Sequence, residues 1–190
     1  NNVKISLIEN NSKAGTISKD IKDSNLSENL LNVADFNSNY KDFIFSLIDT
    51  EKIKKKFNFP LVLDPMYGAG QGFFRKIIEE MGNSKIFEIH NNINASFGGI
   101  NPEPIGDNLN DSIKLIKSKS CKLALCLDGD GDRLGAIGEN GNFVSSHHIF
   151  AIVLDYLIKN RKMTGKVVKT VSTSSIIDRI CKKHNLELKT

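Results

Sequence analysis

Five apolar residues, Leu123-Ala124-Leu125-Cys126-Leu127, run without a break into Asp128-Gly129-Asp130-Gly131-Asp132-Arg133. An uninterrupted run of this kind reads as a strand covered on both faces, and such a strand needs a sheet with helices on either side of it. The rest of the chain repeats that demand. Leu61-Val62-Leu63 is another short apolar run, ended by Asp64-Pro65 and a glycine turn. Phe73 to Met81 is spaced as a helix and stopped by Gly82; Ile86 to Ile89 is a strand; Leu109, Ile113 and Ile116 share one helical face. Leu134–Ile137 and Phe143–Val144 form a hairpin around Glu139-Asn140-Gly141-Asn142. Ser145 or Ser146 caps a helix that reaches Lys159.

After Met163-Thr164-Gly165 come a strand over 166–171, a helix over 174–183 and the start of a strand at 186–188. Strands alternating with helices imply an α/β fold, a three-layer α/β/α arrangement on a mixed sheet. The last unit is too short to bury both faces of its strands, so a boundary is expected there. Residues 1–163 would form one domain and residues 164–190 the truncated β-α-β opening of another. Upstream, Val3–Ile8 alternates like a strand, residues 20–39 read as loop with a short helix, and one helical stripe runs from Asp42 to Lys54.

Composition excludes several classes. With 39% hydrophobic and 25% charged residues the chain can bury a core, and low-complexity disorder is ruled out. Three cysteines, Cys121, Cys126 and Cys181, lie in or beside apolar runs and do not make a disulfide scaffold. No run of eighteen apolar residues is present. The first residues lack a Met and an apolar signal core, which leads us to expect a chain that starts inside a longer protein, in the cytoplasm. A net charge of +4 is weak grounds for an acidic partner. The cluster Lys54-Lys55-Lys56 reads as the cationic end of a helix rather than a nucleic-acid surface.

The chemistry lies in the acidic loop. Carboxylates at i, i+2 and i+4 share a face only in extended or looped backbone, and Gly129 and Gly131 let the loop turn tightly. Two carboxylates about 5 Å apart at an effective dielectric near 20 repel by roughly 3 kcal/mol. Either the loop stays open or a cation fills it. All the donors are hard oxygens, which suits Mg²⁺ or Ca²⁺ and not zinc. Arg133 beside them offers planar donors suited to phosphate.

Three readings fit this loop. A calcium loop would use Asp128, Asp130, Asp132 and Glu139 at positions 1, 3, 5 and 12, but Arg133 stands where Gly is needed and a strand precedes it. A haloacid-dehalogenase-like phosphatase would make Asp128 its nucleophile, with Thr170 or Ser172 as a second motif; Asp132 stands where that family has Thr or Val. In the third reading, Asp128–Arg133 resembles the metal loop of the α-D-phosphohexomutases, the phosphoglucomutase and phosphomannomutase family. Leu61-Val62-Leu63-Asp64-Pro65-Met66-Tyr67-Gly68-Ala69-Gly70 resembles the opening strand and glycine turn of that family's second domain. Phe97-Gly98-Gly99-Ile100-Asn101-Pro102-Glu103-Pro104 resembles its Phe-Gly-Gly and Pro-Glu-Pro segment, followed by Asn108-Leu109, and Val3-Lys4 the tail of an Asn-Gly-Ile-Lys pattern.

The resemblance implies the second of four domains and the start of the third. It implies Mg²⁺ held by Asp128, Asp130 and Asp132 together with a phosphoserine oxygen. Arg133 would act as a catalytic contact to phosphoserine or sugar bisphosphate. Asp132, Arg133 and Ser172 would be substrate-binding, and Ser172, where some members carry Lys, tilts the reading toward phosphoglucomutase. The implied reaction moves phosphate between hexose 1-phosphate and hexose 6-phosphate through a hexose 1,6-bisphosphate. The phosphoserine segment of the first domain is not in this chain, so no turnover is expected of the chain alone. No nucleic-acid or membrane partner is implied.

Other motifs have simpler readings. Gly68-Ala69-Gly70-Gln71-Gly72 lacks the third glycine of a dinucleotide fingerprint, since Phe73 stands there. His147 and His148 diverge by about 100° on a helix, Cys126 is a core thiol, and His90 is a loop hydrogen-bonder.

Overall fold

The computed structural model describes residues 37–190. Lys41–Thr190 constitute one unit and Asn1–Tyr40 another, of which the described residues 37–40 are helical. The expected strand over residues 3–8, the Val3-Lys4 pattern and most of the loop over 20–39 lie outside the described residues.

Helices α1 (Asn37–Leu47) and α2 (Thr50–Lys56) open the described chain. The single stripe expected from Asp42 to Lys54 is therefore broken. The cause is local: Asp49 accepts a hydrogen bond from the Lys52 N–H at 2.9 Å and caps α2, a role that competes with helix continuation at that residue. The Arg161 guanidinium donates to the Leu47 carbonyl at 3.1 Å and satisfies the end of α1.

Strands β1 (Leu61–Asp64), β2 (Ile86–Glu88), β3 (Leu123–Leu127), β4 (Leu134–Gly138) and β5 (Phe143–Val144) form a sheet in the order β2-β1-β3-β4-β5. The pairs β1/β2 and β1/β3 are parallel, whereas β3/β4 and β4/β5 are antiparallel, so the sheet is mixed as expected. Helix α3 (Phe73–Glu80) follows β1, and α4 (Asn110–Lys119) precedes β3.

Alternation along β1 builds the layers. Leu61 and Leu63 join Ile77, Ile78 and Met81 in one core, against which Phe45, Ile48, Ile53 and Phe57 also pack. Val62 joins Leu109, Ile116, Ala124, Cys126 and Ile137 in the other. Period two in the strand thus sends successive side chains to opposite helical layers, which makes the three-layer α/β/α architecture.

Helix α5 (Ser146–Lys159) is followed by β6 (Lys166–Val168), α6 (Ile176–Lys183) and β7 (Glu187–Lys189), with β6 and β7 parallel in a sheet of their own. Ala151 and Leu154 of α5 share a core with Ile177 and Cys181 of α6. Strand β6 is shorter than the expected 166–171, because Thr170 accepts from the Thr173 N–H at 3.1 Å and begins a turn. Ser145 stands before α5, but its hydroxyl meets the His148 ring Nδ1 at 3.0 Å instead of capping the backbone. No helix among the described residues is long and apolar enough to cross a membrane.

Candidate metal centre

The six residues Asp128–Arg133 are the connection of the β3–β4 hairpin, closed by Leu127 opposite Leu134 and by the Asp128 N–H donating to the Arg133 carbonyl at 3.2 Å. A helix-loop-helix calcium site is excluded by this setting, since strands flank the loop on both sides. Asp128 is buried, Asp130 and Asp132 are exposed, and each offers a carboxylate oxygen within 4.8 Å of the others.

Their electrostatics differ along the loop. Burial alone would raise the Asp128 carboxyl, but the Arg133 backbone N–H at 2.9 Å and its Nε at 2.7 Å outweigh burial and hold it at about 2. The Asp132 carboxyl is pushed up, first by the charge of Asp130 and then by its contact with Asp128. Water around Asp130 and Asp132 screens their repulsion below its value in a dry site. The donor set is all carboxylate oxygen, two of the three groups are open to solvent, and Asp128 keeps a lone pair on each oxygen after binding Arg133. These residues fit a hard divalent cation such as Mg²⁺ or Ca²⁺.

Arg133 also reaches Glu103, and it bridges Asp128 and Glu103 with its side chain 58% exposed. The flanking carboxylates raise the guanidinium further, the Asp128 hydrogen bond first among them. Among the described residues the other donors of this fork meet no hydrogen-bond partner and are available to an anion. Ser172 is elsewhere: it is exposed in the turn after β6, where its hydroxyl meets Thr170 Oγ1 at 3.0 Å. The structure thus gathers Asp128, Asp130, Asp132 and Arg133 into one loop and leaves Ser172 in the second sheet's turn.

The loop is held by the two other segments singled out in the sequence. The Ala69 N–H donates to the Gly129 carbonyl at 2.9 Å, and the Gly129 N–H donates to the Pro102 carbonyl at 3.1 Å. A Cβ on Gly68 would sit 2.3 Å from the Gly129 oxygen, so backbone meets backbone there and no side chain fits. A Cβ on Gly98 would fall 2.6 Å from the Tyr67 ring. The glycine turn after β1 is therefore neither a nucleotide loop nor a passive connection; it is a seat for Gly129.

Sequence reasoning missed what lies under that seat. Asp64 is buried at the end of β1 and accepts from the Met66 N–H at 2.9 Å, His90 Nδ1 at 2.9 Å and the Ser112 hydroxyl at 2.6 Å. Cys126 Sγ lies 3.9 Å from Ser112 Oγ, and burial pushes its thiol up to about 12, as suits a core residue. The available signal was Ser112, one helical turn before Ile116 on the inward face of α4 and fully buried with it. A polar residue there needs a buried partner. Glu103 was also missed as the second partner of Arg133.

Comparisons with known proteins agree with this geometry. The phosphoglucomutase/phosphomannomutase α/β/α domain II description matches residues 38–141, and the domain III description of the same family matches residues 145–190. A phosphoglucomutase/phosphomannomutase of Thermococcus kodakarensis is 31% identical over 149 residues, which are 78% of this chain and 32% of the relative. A phosphoglucosamine/phosphogalactosamine mutase of Sulfurisphaera tokodaii is 32% identical over 153 residues, 80% of this chain and 33% of the relative. The crystal structure of a phosphomannomutase-type protein from Thermus thermophilus superposes with a TM-score of 0.76 at 26% identity, covering 83% of this chain and 36% of that one. The chain spans about a third of the length of these curated relatives. With two consecutive domain descriptions matched in order across residues 38–190, and an α/β/α sheet carrying the acidic hairpin loop, this chain belongs to the phosphoglucomutase/phosphomannomutase family.

Proposed function

We propose that this chain supplies the metal loop of a phosphohexomutase that interconverts hexose 1-phosphate and hexose 6-phosphate. The reaction would run through a hexose 1,6-bisphosphate and a phosphoserine carried elsewhere in the full-length protein. The observation that carries the reading is the convergence of Asp128, Asp130 and Asp132 to within 4.8 Å at the tip of a hairpin whose strands are fixed in the sheet. Those three carboxylates would hold Mg²⁺, which in such a site supplies Lewis-acid polarisation and charge balance to a transferring phosphoryl group.

The chain's own residues set the rest. Asp128, anchored by Arg133, holds one side of the site rigid, while the exposed Asp130 and Asp132 approach from the solvent side. Arg133 keeps its charge at any physiological pH and offers its unused donors to a phosphoryl oxygen. Asp132 and Ser172 would contact substrate, and Ser172 favours glucose over mannose phosphate. The two family descriptions meet between Gly141 and Ser145, and α5 shares its core with α6.

Titration of the chain with Mg²⁺ and Ca²⁺ tests the metal assignment. Saturable Mg²⁺ binding, lost in Asp130→Asn with no loss of fold, is the expected outcome; binding that survives this substitution would refute the triad. Conversion of glucose 1-phosphate to glucose 6-phosphate by the chain alone would refute a phosphoserine supplied from outside it.

A further inference from the structure

The segment between β1 and α3 carries backbone strain at two residues that are not glycine. Met66 and Tyr67, consecutive residues, have φ of 48° and 60°, and His90, which meets both Asp64 and Tyr67, has φ of 50°. Non-glycine residues occupy this left-handed region only when their surroundings hold them there. Met66 is held by its N–H donating to Asp64 Oδ1 at 2.9 Å, and Tyr67 by its N–H donating to the His90 carbonyl at 2.8 Å. The Tyr67 ring lies 4.7 Å from the His90 ring, on a site that Gly98 keeps open. His90 Nδ1 and the Ser112 hydroxyl complete the shell of Asp64, so one buried carboxylate ties together β1, the β2 exit and α4.

That turn delivers Gly68 and Ala69 onto Gly129, the residue between Asp128 and Asp130. We infer that Asp64, with Ser112 and His90 as its supports, is a positioning residue for the metal loop: it holds Met66 and Tyr67 in their left-handed turn and through Ala69 sets the separation of the Asp128 and Asp130 carboxylates. Asp64 is buried and stands outside the acidic triad, and it acts through the backbone of the turn. The inference rests on the reading of the triad as a metal site only for its consequence, not for the backbone linkage itself.

Two readouts on the 190-residue chain separate these. Amide hydrogen exchange in metal-free protein reports the linkage, and Mn²⁺ binding followed by the electron paramagnetic resonance of the free ion reports the consequence. In Ser112→Ala, exchange at the Ala69 and Gly129 amides is expected to quicken about tenfold while Val62 and Leu125 in the strands stay protected, and Mn²⁺ affinity to fall by about five- to tenfold. Asp64→Asn keeps an oxygen for Met66 and His90, and is expected to return both readouts to within about threefold of the parent chain. Unchanged exchange at Ala69 and Gly129 in Ser112→Ala, or exchange that quickens equally at Val62 and Leu125, would overturn the positioning role. Should the parent chain fail to bind Mn²⁺, the metal reading fails, and the exchange pattern still decides whether Asp64 governs the Gly129 contact.

Discussion

Asp64 and Asp128 end neighbouring parallel strands of one sheet, and both are buried. Asp64 meets three donors, from Met66, His90 and Ser112, and the nearby Asp111 carboxylate faces the far side of the His90 ring. Asp128 takes its donors from Arg133 and leads into two exposed carboxylates that crowd it, Asp132 in contact with it. The same residue type at the same topological place thus does opposite work. A carboxylate whose oxygens are all used stabilises the fold that uses them; a set left in mutual repulsion is stable only at a loop tip open to solvent, where a cation can enter.

Removing the satisfied carboxylate should do the greatest damage. Asp64→Ala strands the Met66 N–H, the Ser112 hydroxyl and His90 in a buried layer, and is expected to destabilise the chain by about 3–5 kcal/mol. Urea unfolding of the metal-free chain measures it. If Asp130→Ala costs as much under the same conditions, the contrast between the two sites is broken.

The contact between them comes next. Gly68→Ala places a methyl group 2.3 Å from the Gly129 oxygen, and backbone cannot rotate away as a side chain can. A loss of about 1–3 kcal/mol is expected, together with weaker Mn²⁺ binding. A parent-like Gly68→Ala would mean that the turn and the acidic loop are not in register.

Much of this fold was legible in advance because it rests on short-range periodicity. The run from Leu123 to Leu127 announced a doubly covered strand, and Leu109, Ile113 and Ile116 announced the helix that covers it. The acidic loop was legible because charge density at that spacing has few explanations. What was not legible required knowledge of neighbours distant in sequence. Asp49 stands in an apolar helical stripe and breaks it only because its side chain finds the Lys52 N–H. Ser112 reads as an unremarkable helix residue until it meets Asp64, 48 positions away. Glu103 gains meaning only when the hairpin carries Arg133 to it. The packing of the helix over 146–159 against Ile177 and Cys181 was equally hidden, since those partners lie later in the chain.

Relief of repulsion is a smaller effect and of opposite sign. Asp130→Asn removes one charge from the triad without changing its shape. Because Asp130 is exposed, the metal-free chain should gain at most about 0.5 kcal/mol, seen as a slightly higher urea midpoint. The same substitution is expected to weaken Mg²⁺ binding by at least about 100-fold. A variant that is less stable without metal would place Asp130 with Asp64 as a structural carboxylate.

The smallest expected effect is on pH dependence, and it belongs to the Asp64 side. His90 titrates above its ordinary value of 6.5: the hydrogen bond to Asp64 raises it most, burial partly opposes, and the charges of Asp64 and Asp111 add to the rise. The groups facing it are Asp64 from β1, Asp111 from α4 at 3.7 Å, and the Tyr67 ring. A group whose folded pKa is raised binds its proton more tightly in the folded chain than in the unfolded one. Its contribution is therefore fully present below about pH 6.5 and is lost as pH rises through the folded value. Stability measured in urea should fall between pH 6 and pH 8 by a fraction of the Asp64→Ala loss, and His90→Gln should remove that slope; above pH 8 the buried thiols add their own fall. A slope that persists in His90→Gln would have another source, and one that runs upward with pH would mean that His90 is neutral in the folded chain, leaving Asp64 to be balanced by its hydrogen-bond donors alone.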